Sequence, residues 1–254
     1  DVQYSRWRND LFNYERVYEL AGIRPRRMRT MVIGLIYRIP MTNIIGDAGN
    51  GYYSNAYNIY NIALIISSYS LPLAVSKLVA AKTARKEYKN VSRLFFAAMI
   101  FAFISGFVMM CIVFFGADAL AQFLFEGTGS VMALRVLSPT ILLCAIMGVF
   151  RGFFQGKGTM IPTSVSQIVE QFANAIVSVA ACYFLMSAHS ASPDIASYGA
   201  AGGTLGTSIG AVFGLLFLVF VYIVNIPIIK KQKKRDYTGE IESYPDIYKM
   251  IILT

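Results

Sequence analysis

The chain alternates between long apolar stretches and short polar loops. A helix needs about 20 apolar residues to cross the hydrocarbon core of a bilayer. The apolar segments after the first meet this length, whereas the first is short and is interrupted by Arg38 and Pro40. We therefore predict an all-α polytopic membrane protein whose first crossing is kinked, re-entrant or incomplete. The apolar segments lie at about residues 31–45, 53–75, 92–115, 131–153, 162–187 and 199–224.

The positive charge of the loops also alternates along the chain. Residues 77–93 contain six lysines and arginines and residues 230–235 contain five, whereas residues 116–130 and 188–198 contain none. Basic loops of membrane proteins stay on the cytoplasmic side. Every second loop is therefore predicted to be internal, and the amino terminus is predicted to be cytoplasmic.

Composition excludes several other classes of protein. The hydrophobic fraction is 56%, the charged fraction is 15% and the mean hydropathy is +0.54, all outside the range of a soluble domain. The net charge of +9 sits in loops and at membrane edges, without an RNA-binding motif or a basic recognition helix. We therefore expect no nucleic-acid partner and expect the basic loops to face anionic lipid headgroups.

Neither a metal site nor a catalytic site is apparent in the sequence. The three cysteines, Cys111, Cys144 and Cys182, fall inside apolar segments, where a thiol acts as a small hydrophobe. The single histidine, His189, has no cysteine or histidine nearby that could complete a zinc site. No nucleophile, base and orienting group are assembled. We therefore expect no cofactor, no metal and no enzymatic activity.

The chain divides into three parts. Residues 1–30 are polar and carry both charges, which predicts an interfacial helix or a poorly ordered arm. Residues 31–224 contain the transmembrane segments, and residues 225–254 are interpreted as a cytoplasmic linker and the start of a seventh helix. Because the chain begins without methionine and stops where apolar character resumes, we interpret it as part of a longer protein.

Polar side chains inside the second segment form one stripe. Asn55, Asn58 and Asn61 recur every third residue and share one helical face. Buried amides in a membrane need partners inside a helix bundle or a wet cavity. Both interpretations, cavity lining and hydrogen bonding between helices, remain open from the sequence.

A second polar stripe and two arginines complete the candidate binding residues. Glu170 is a candidate proton or cation site or an anchor for an arginine, because a carboxylate facing lipid costs about 2.5–3.5 kcal/mol. Arg38 and Arg135 are candidates for binding an anionic substrate, and the alternative for each is snorkelling to the membrane interface. The second stripe consists of Gln167, Glu170, Gln171 and Asn174.

Small residues recur along the sixth segment. Gly202, Gly206, Gly210 and Gly214 are spaced by four and form one face. Such a face lets another helix approach closely. We predict a helix-packing surface, and the alternative is a substrate path along the same face.

Four sequence blocks carry a family resemblance. They read YRIPMTNIIG at 37–46, LPLAVSKLVA at 71–80, LRVLS at 134–138 and RGFFQGKGTMIPTSVSQIVEQ at 151–171. In this order they resemble the amino-terminal half of bacterial flippases of the polysaccharide transporter family. The most similar groups are the stage V sporulation protein B type and the MurJ-type lipid II flippases of the multidrug, oligosaccharidyl-lipid and polysaccharide exporter (MOP) superfamily. The resemblance covers about residues 32–254.

The resemblance implies a MATE-like transporter of two six-helix lobes, of which this chain holds the first and lacks the second. It implies alternating access for an undecaprenyl pyrophosphate-linked sugar precursor, in the bacterial cytoplasmic membrane. It also places Arg38 near the substrate pyrophosphate, because this residue lies in the matching YRIP block, and it includes Gln167, Glu170 and Gln171 with a less defined role. Arg24–Arg29 depart from the family, which has apolar residues there.

Three other functions are alternatives to a flippase. A cation-coupled multidrug antiporter of the same superfamily needs acidic cavity residues, and Glu170 is the only carboxylate inside the segments after residue 130. A membrane enzyme acting on the same lipid carrier needs clustered acidic or histidine residues at a membrane edge, and those of the external loops are scattered. A noncatalytic membrane scaffold is a third alternative.

Overall fold

The computed structural model describes residues 26–68, 70–125, 128–234, 236 and 242–253. Most of the predicted arm at 1–30 and part of the predicted linker at 225–254 lie outside these residues. The described residues form helices joined by short turns, without a strand. The helices are α1 (Arg26–Ser68), α2 (Leu71–Ala84), α3 (Tyr88–Phe115), α4 (Ala117–Phe125), α5 (Val131–Gly156), α6 (Ile161–Ala188), α7 (Ile195–Lys234) and α8 (Tyr244–Leu253).

Membrane-spanning length is reached by five helical stretches of the described chain, the first of which joins α1 and α2 over Arg38–Ala84. The others are α3, α5, α6 and α7. The predicted segment at about 53–75 falls in the first stretch, together with the part of the predicted segment at about 31–45 that follows residue 37. The all-α polytopic fold is confirmed, while the predicted number of six crossings stays a prediction.

Helix α1 consists of two arms that meet at Gly46. This glycine has a φ of 72° and a ψ of −178°, which interrupts the helical backbone and which L side chains rarely adopt. Met41 on the first arm and Tyr53 on the second both lie against Gly203 of α7. Twelve residues of straight helix span about 18 Å, which would keep Met41 and Tyr53 far apart. The chain therefore turns sharply at Gly46, and Met41 and Tyr53 lie at a similar depth.

The first arm of α1 begins earlier than the sequence predicts. Helical backbone starts at Arg26, five residues before the predicted apolar start at Met31. Arginine is a good helix former, and the predicted segment at 31–45 was defined by hydrophobicity alone. The basic residues therefore extend the helix rather than end it.

The predicted glycine face of α7 packs against α6, as expected for small residues that allow close approach. A Cβ at Gly202 lies 2.7 Å from the backbone nitrogen of Cys182, and one at Gly210 lies 2.6 Å from the carbonyl oxygen of Glu170. The Ser178 hydroxyl donates a hydrogen bond to the carbonyl oxygen of Gly203 across this interface (2.9 Å). The packing prediction is confirmed.

Helix α5 lies in the centre of the bundle and contacts α1, α2, α3 and α7. Its carboxyl-terminal half carries Phe150 and Phe153, which pack with Phe95 of α3 and Tyr222 of α7. The outer face of α3 is apolar and exposed, for example at Phe103 and at Phe107, as a lipid-facing surface requires.

The segment after α7 is tied to the corner between α2 and α3. Lys82, which is only 5% exposed, contacts both Glu87 (3.7 Å) and Glu242. The Arg93 guanidinium donates to the carbonyl oxygen of Glu242 at 2.7 Å. Helix α8 then buries Ile247 in the core cluster that includes α3. The start of α8 is therefore part of the same packed body.

Candidate functional site

The first arm of α1 presents Arg38 on an exposed surface. Arg38 lies three residues before Met41, which corresponds to about 4.5 Å along the helix axis. Since Met41 and Tyr53 both touch Gly203, Arg38 lies near the depth of Tyr57 on the second arm. No ion pair joins Arg38 to another residue of the described part of the chain.

The second arm of α1 separates its amides from its tyrosines. Asn58 and Asn61 are exposed and Asn55 is half-buried. The Tyr57 hydroxyl bonds the Thr207 hydroxyl of α7, and the Tyr60 hydroxyl lies 3.4 Å from Cys144 Sγ of α5. The tyrosines therefore make these contacts between helices and leave the exposed amides pointing away from the bundle.

These tyrosines were not among the predicted site residues. The ring of Tyr57 contacts that of Tyr53 (centroids 4.6 Å apart) and that of Tyr60 (5.7 Å). Their spacing of four and three marks the helical face beside the amide stripe. That spacing was the sequence signal for a packed face of tyrosines next to an open face of amides.

Glu170 of α6 is anchored by an arginine, one of the two interpretations left open by the sequence. The Arg151 Nη2 atom of α5 donates to Glu170 Oε2 at 2.7 Å, and each side chain is 18% exposed. Arg151 Nε also lies 3.4 Å from the Ser166 hydroxyl. Arg151 was not among the predicted site residues, although it opens the matched block at 151–171.

The remaining members of the second stripe do not share one environment. Gln167 is exposed, Gln171 is half-buried and Asn174 is buried. Asn174 Oδ1 lies 2.8 Å from the Ser178 hydroxyl, and Gly210 packs against the same asparagine. Asn174 therefore belongs to the α6–α7 interface, whereas Gln167 faces outward.

Arg135 lies at the other end of α5, away from the loops rich in basic residues. Its Nη2 atom donates to Asp118 Oδ2 at 2.6 Å, and both side chains are exposed. Arg135 also lines an open cavity of about 740 Å³ between α1, α5, α7 and their loops. Arg38 is not among the residues that line this cavity, so the structure does not bring the two predicted arginines together in it.

The described residues contain no group of three histidine, cysteine, aspartate or glutamate side chains that could hold a metal ion. All three cysteines are free thiols. The polar groups of the candidate site are therefore arginine, amide and hydroxyl groups.

Comparison with protein families identifies the chain. The family model described as "Polysaccharide biosynthesis protein" matches residues 27–238. The chain belongs to this family. The family resemblance inferred from the four sequence blocks is thereby confirmed.

Two curated relatives of the chain come from Bacillus subtilis (strain 168). The lipid II flippase MurJ is 29% identical over 199 residues, which are 75% of this chain and 36% of the relative. The stage V sporulation protein B is 29% identical over 192 residues, again 75% of this chain and 36% of the relative. The chain thus spans about a third of the length of these relatives.

Two solved structures share the fold of this family member. A MOP superfamily transporter from Pyrococcus furiosus matches with a TM-score of 0.65 and 17% identity, over 89% of this chain and 48% of that one. The lipid II flippase MurJ in an inward closed conformation matches with a TM-score of 0.56 and 15% identity, over 89% and 50%. The predicted class, an all-α membrane transporter fold, is confirmed.

Proposed function

We propose that this chain forms one lobe of a flippase that moves an undecaprenyl pyrophosphate-linked sugar precursor outward across the bacterial cytoplasmic membrane. The observation that carries the proposal is that Arg38 on the first arm of α1 and Asn58 and Asn61 on the second arm are exposed, and we infer that they share one polar surface. Lipid tails do not satisfy such groups. We infer that this surface faces a wet cavity, closed on its other side by a second lobe.

The chemistry of this surface fits a pyrophosphate. Arginine keeps its charge at all physiological pH values, and its planar fork of donors matches phosphate oxygens. Asparagine amides nearby add neutral donors for the same oxygens or for sugar hydroxyls. The lipid tail stays in the bilayer while Arg38 holds the charged group, and the two lobes rock about this site in alternating access.

The second candidate, a cation-coupled multidrug antiporter, is less well supported by the same geometry. Such a transporter needs a carboxylate that is available to a cation. Glu170 is instead engaged by Arg151 at 2.7 Å inside the lobe. The membrane enzyme is less well supported because Asp118 is paired with Arg135 and no acidic cluster was found in the described loops.

The test is complementation in a bacterium depleted of its own lipid II flippase. The gene that encodes this chain is expressed, and lipid II reaching the outer leaflet is measured. We expect rescue by the wild-type gene and at least a tenfold lower rate with Arg38→Ala, because a charged contact to phosphate is lost (about 1.5–3 kcal/mol). Expression at normal levels without rescue contradicts lipid II as substrate, and rescue by Arg38→Ala contradicts the role of Arg38.

A further inference from the structure

The open cavity beside Arg135 is formed by the three loops or loop ends that lack basic residues. Its walls come from the start of the second arm of α1, from the turn before α5 and from the turn before α7. Its volume of about 740 Å³ falls within the range of small-molecule sites, roughly 300–1,000 Å³. The positive-inside pattern assigns all three elements to the external face. A ligand in this cavity is therefore bound from the external side of the membrane.

The lining of this cavity carries no net charge. Arg135 supplies one positive charge and Asp194 one negative charge. Arg135 is already paired with Asp118, which does not line the cavity. A pyrophosphate finds no free arginine here, in contrast to the surface around Arg38.

Flat apolar rings and hydroxyl groups make up much of the remaining wall. Tyr52 and Tyr198 are half-buried, and the ring of Tyr198 stacks on that of His189, with centroids 3.9 Å apart. The ring of Tyr52 lies directly against Gly129, where a side chain would overlap it. Phe114 provides a third ring and Ser197 and Thr128 provide hydroxyl groups.

This combination is suited to a sugar. A pyranose presents apolar C–H faces that pack on aromatic rings, and hydroxyl groups that donate to a carboxylate and exchange hydrogen bonds with tyrosine and serine hydroxyls. Asp194 has no ion-pair partner among the described residues, so its oxygens are open to such donors. We propose that this external cavity binds the sugar headgroup of the lipid-linked substrate, an assignment that rests on the proposed function.

The position of the cavity agrees with this role. Tyr52 lines the cavity and is adjacent in sequence to Tyr53. Tyr53 and Met41 both contact Gly203 and therefore lie at a similar depth. Arg38 lies about one helical turn deeper than Met41. A pyrophosphate at the depth of Arg38 thus leaves its attached sugars near the depth of the cavity, on the side toward which the substrate moves.

The first test measures binding of a free N-acetylated disaccharide to the chain in lipid nanodiscs by saturation-transfer NMR. Asp194→Ala removes a charged hydrogen-bond acceptor and is expected to weaken binding about tenfold. The matched control is Asp47→Ala, which removes an exposed carboxylate near the Gly46 turn that does not line the cavity, and which should change the affinity less than about twofold. Tyr52→Phe is a milder second variant that keeps the ring in place.

The second test separates this inference from the proposed function by comparing that disaccharide with the same sugar on a short-chain lipid diphosphate. The diphosphate probe is expected to bind about tenfold more tightly, and Arg38→Ala should remove this advantage without changing free-disaccharide binding. Failure of the free disaccharide to bind overturns the cavity assignment, while the effect of Arg38 on the diphosphate probe still supports the proposed function. Equal affinities of the two probes contradict the pyrophosphate role of Arg38 in the proposed function, whereas tighter binding of a zwitterionic dipeptide than of the free disaccharide overturns the headgroup assignment.

Discussion

Two arginines on neighbouring helices of this lobe have opposite environments. Arg151 of α5 is half-buried and donates to Glu170 of α6 at 2.7 Å. Arg38 of α1 is exposed, and no ion pair holds it among the residues described. An arginine satisfied by its own lobe contributes to the stability of that lobe, whereas an arginine left open at membrane depth needs water or a ligand. The comparison therefore separates a structural cation from a binding cation.

The largest effect is expected from breaking the paired arginine. Arg151→Met leaves Glu170 half-buried without its cation, which costs about 3 kcal/mol of unfolding free energy. Thermal or denaturant unfolding of the chain in nanodiscs measures this loss. Arg38→Met is the matched control, because an exposed side chain without a partner should change the stability by less than about 0.5 kcal/mol.

A double substitution sharpens the same result. Arg151→Met combined with Glu170→Met removes both charges and leaves apolar groups of similar size, which should recover most of the lost stability, leaving a loss below about 1 kcal/mol. A double variant as unstable as Arg151→Met alone would show that the pair is not the cause.

The next largest effect concerns the open arginine. Arg38→Ala should weaken binding of a short-chain lipid diphosphate at least about tenfold. Arg38→Lys keeps the charge but loses the planar fork of donors, so it should recover only part of the affinity. Titration of the chain in nanodiscs measures both variants. Unchanged affinity of Arg38→Ala would remove the distinction between the two arginines.

A smaller effect separates the two faces of the second arm of α1. Tyr57→Phe deletes the hydrogen bond to Thr207 and should lower the unfolding free energy by about 0.6–1 kcal/mol. Asn58→Ala, one residue away and exposed, should leave the unfolding free energy unchanged while weakening binding of the diphosphate probe about threefold. The reverse pattern would mean that the amides, not the tyrosines, hold the helices together.

The smallest effect concerns Lys157, a third cation that directly follows the carboxyl-terminal end of α5. Burial lowers the pKa of this amine from 10.5 to about 8, although Nζ donates to Gln232 at 3.0 Å. Below pH 8 the buried amine is charged, and the whole cost of burying this charge lowers the unfolding free energy. This cost decreases as the pH rises from 8 to 10.5. Lys157→Met should be more stable than wild type below pH 8 by at most about 0.5 kcal/mol, and the difference should shrink toward pH 10.5.

Much of the fold was accessible from the sequence because lipid imposes simple rules. Apolar length predicted the later segments, and the four-residue glycine repeat predicted a close helix contact on α7, which the structure assigns to α6. The start of α1 was not predicted, because Arg26 extends the helix by backbone propensity while the segment was defined by hydrophobicity. The turn at Gly46 joins two arms into one helical stretch, which hydrophobicity alone does not reveal.

The candidate site was harder to predict from the sequence, because the role of each residue depends on which side chains contact each other between helices. The cost of exposing a carboxylate to lipid predicts an arginine partner for Glu170. The sequence does not show whether Arg38, Arg135 or Arg151 is that partner. Arg135 likewise forms an ion pair with Asp118, which lies 17 residues earlier in the sequence on α4. The amide stripe was visible at a spacing of three, yet only the helix orientation shows that tyrosines occupy the packed side and Asn58 and Asn61 the open side.

The central claim is that the exposed polar surface of α1 lines a wet cavity that binds a pyrophosphate. The most direct measurement is the rate at which a membrane-impermeant thiol reagent labels Asn61→Cys, in a chain whose three native cysteines are replaced by alanine. Phe103→Cys on the lipid-facing side of α3 is the control. We expect Asn61→Cys to react at least about tenfold faster than Phe103→Cys and to be protected by the diphosphate probe, since water and ligand share one cavity. Equally slow labelling at both positions, or no protection, would contradict the account.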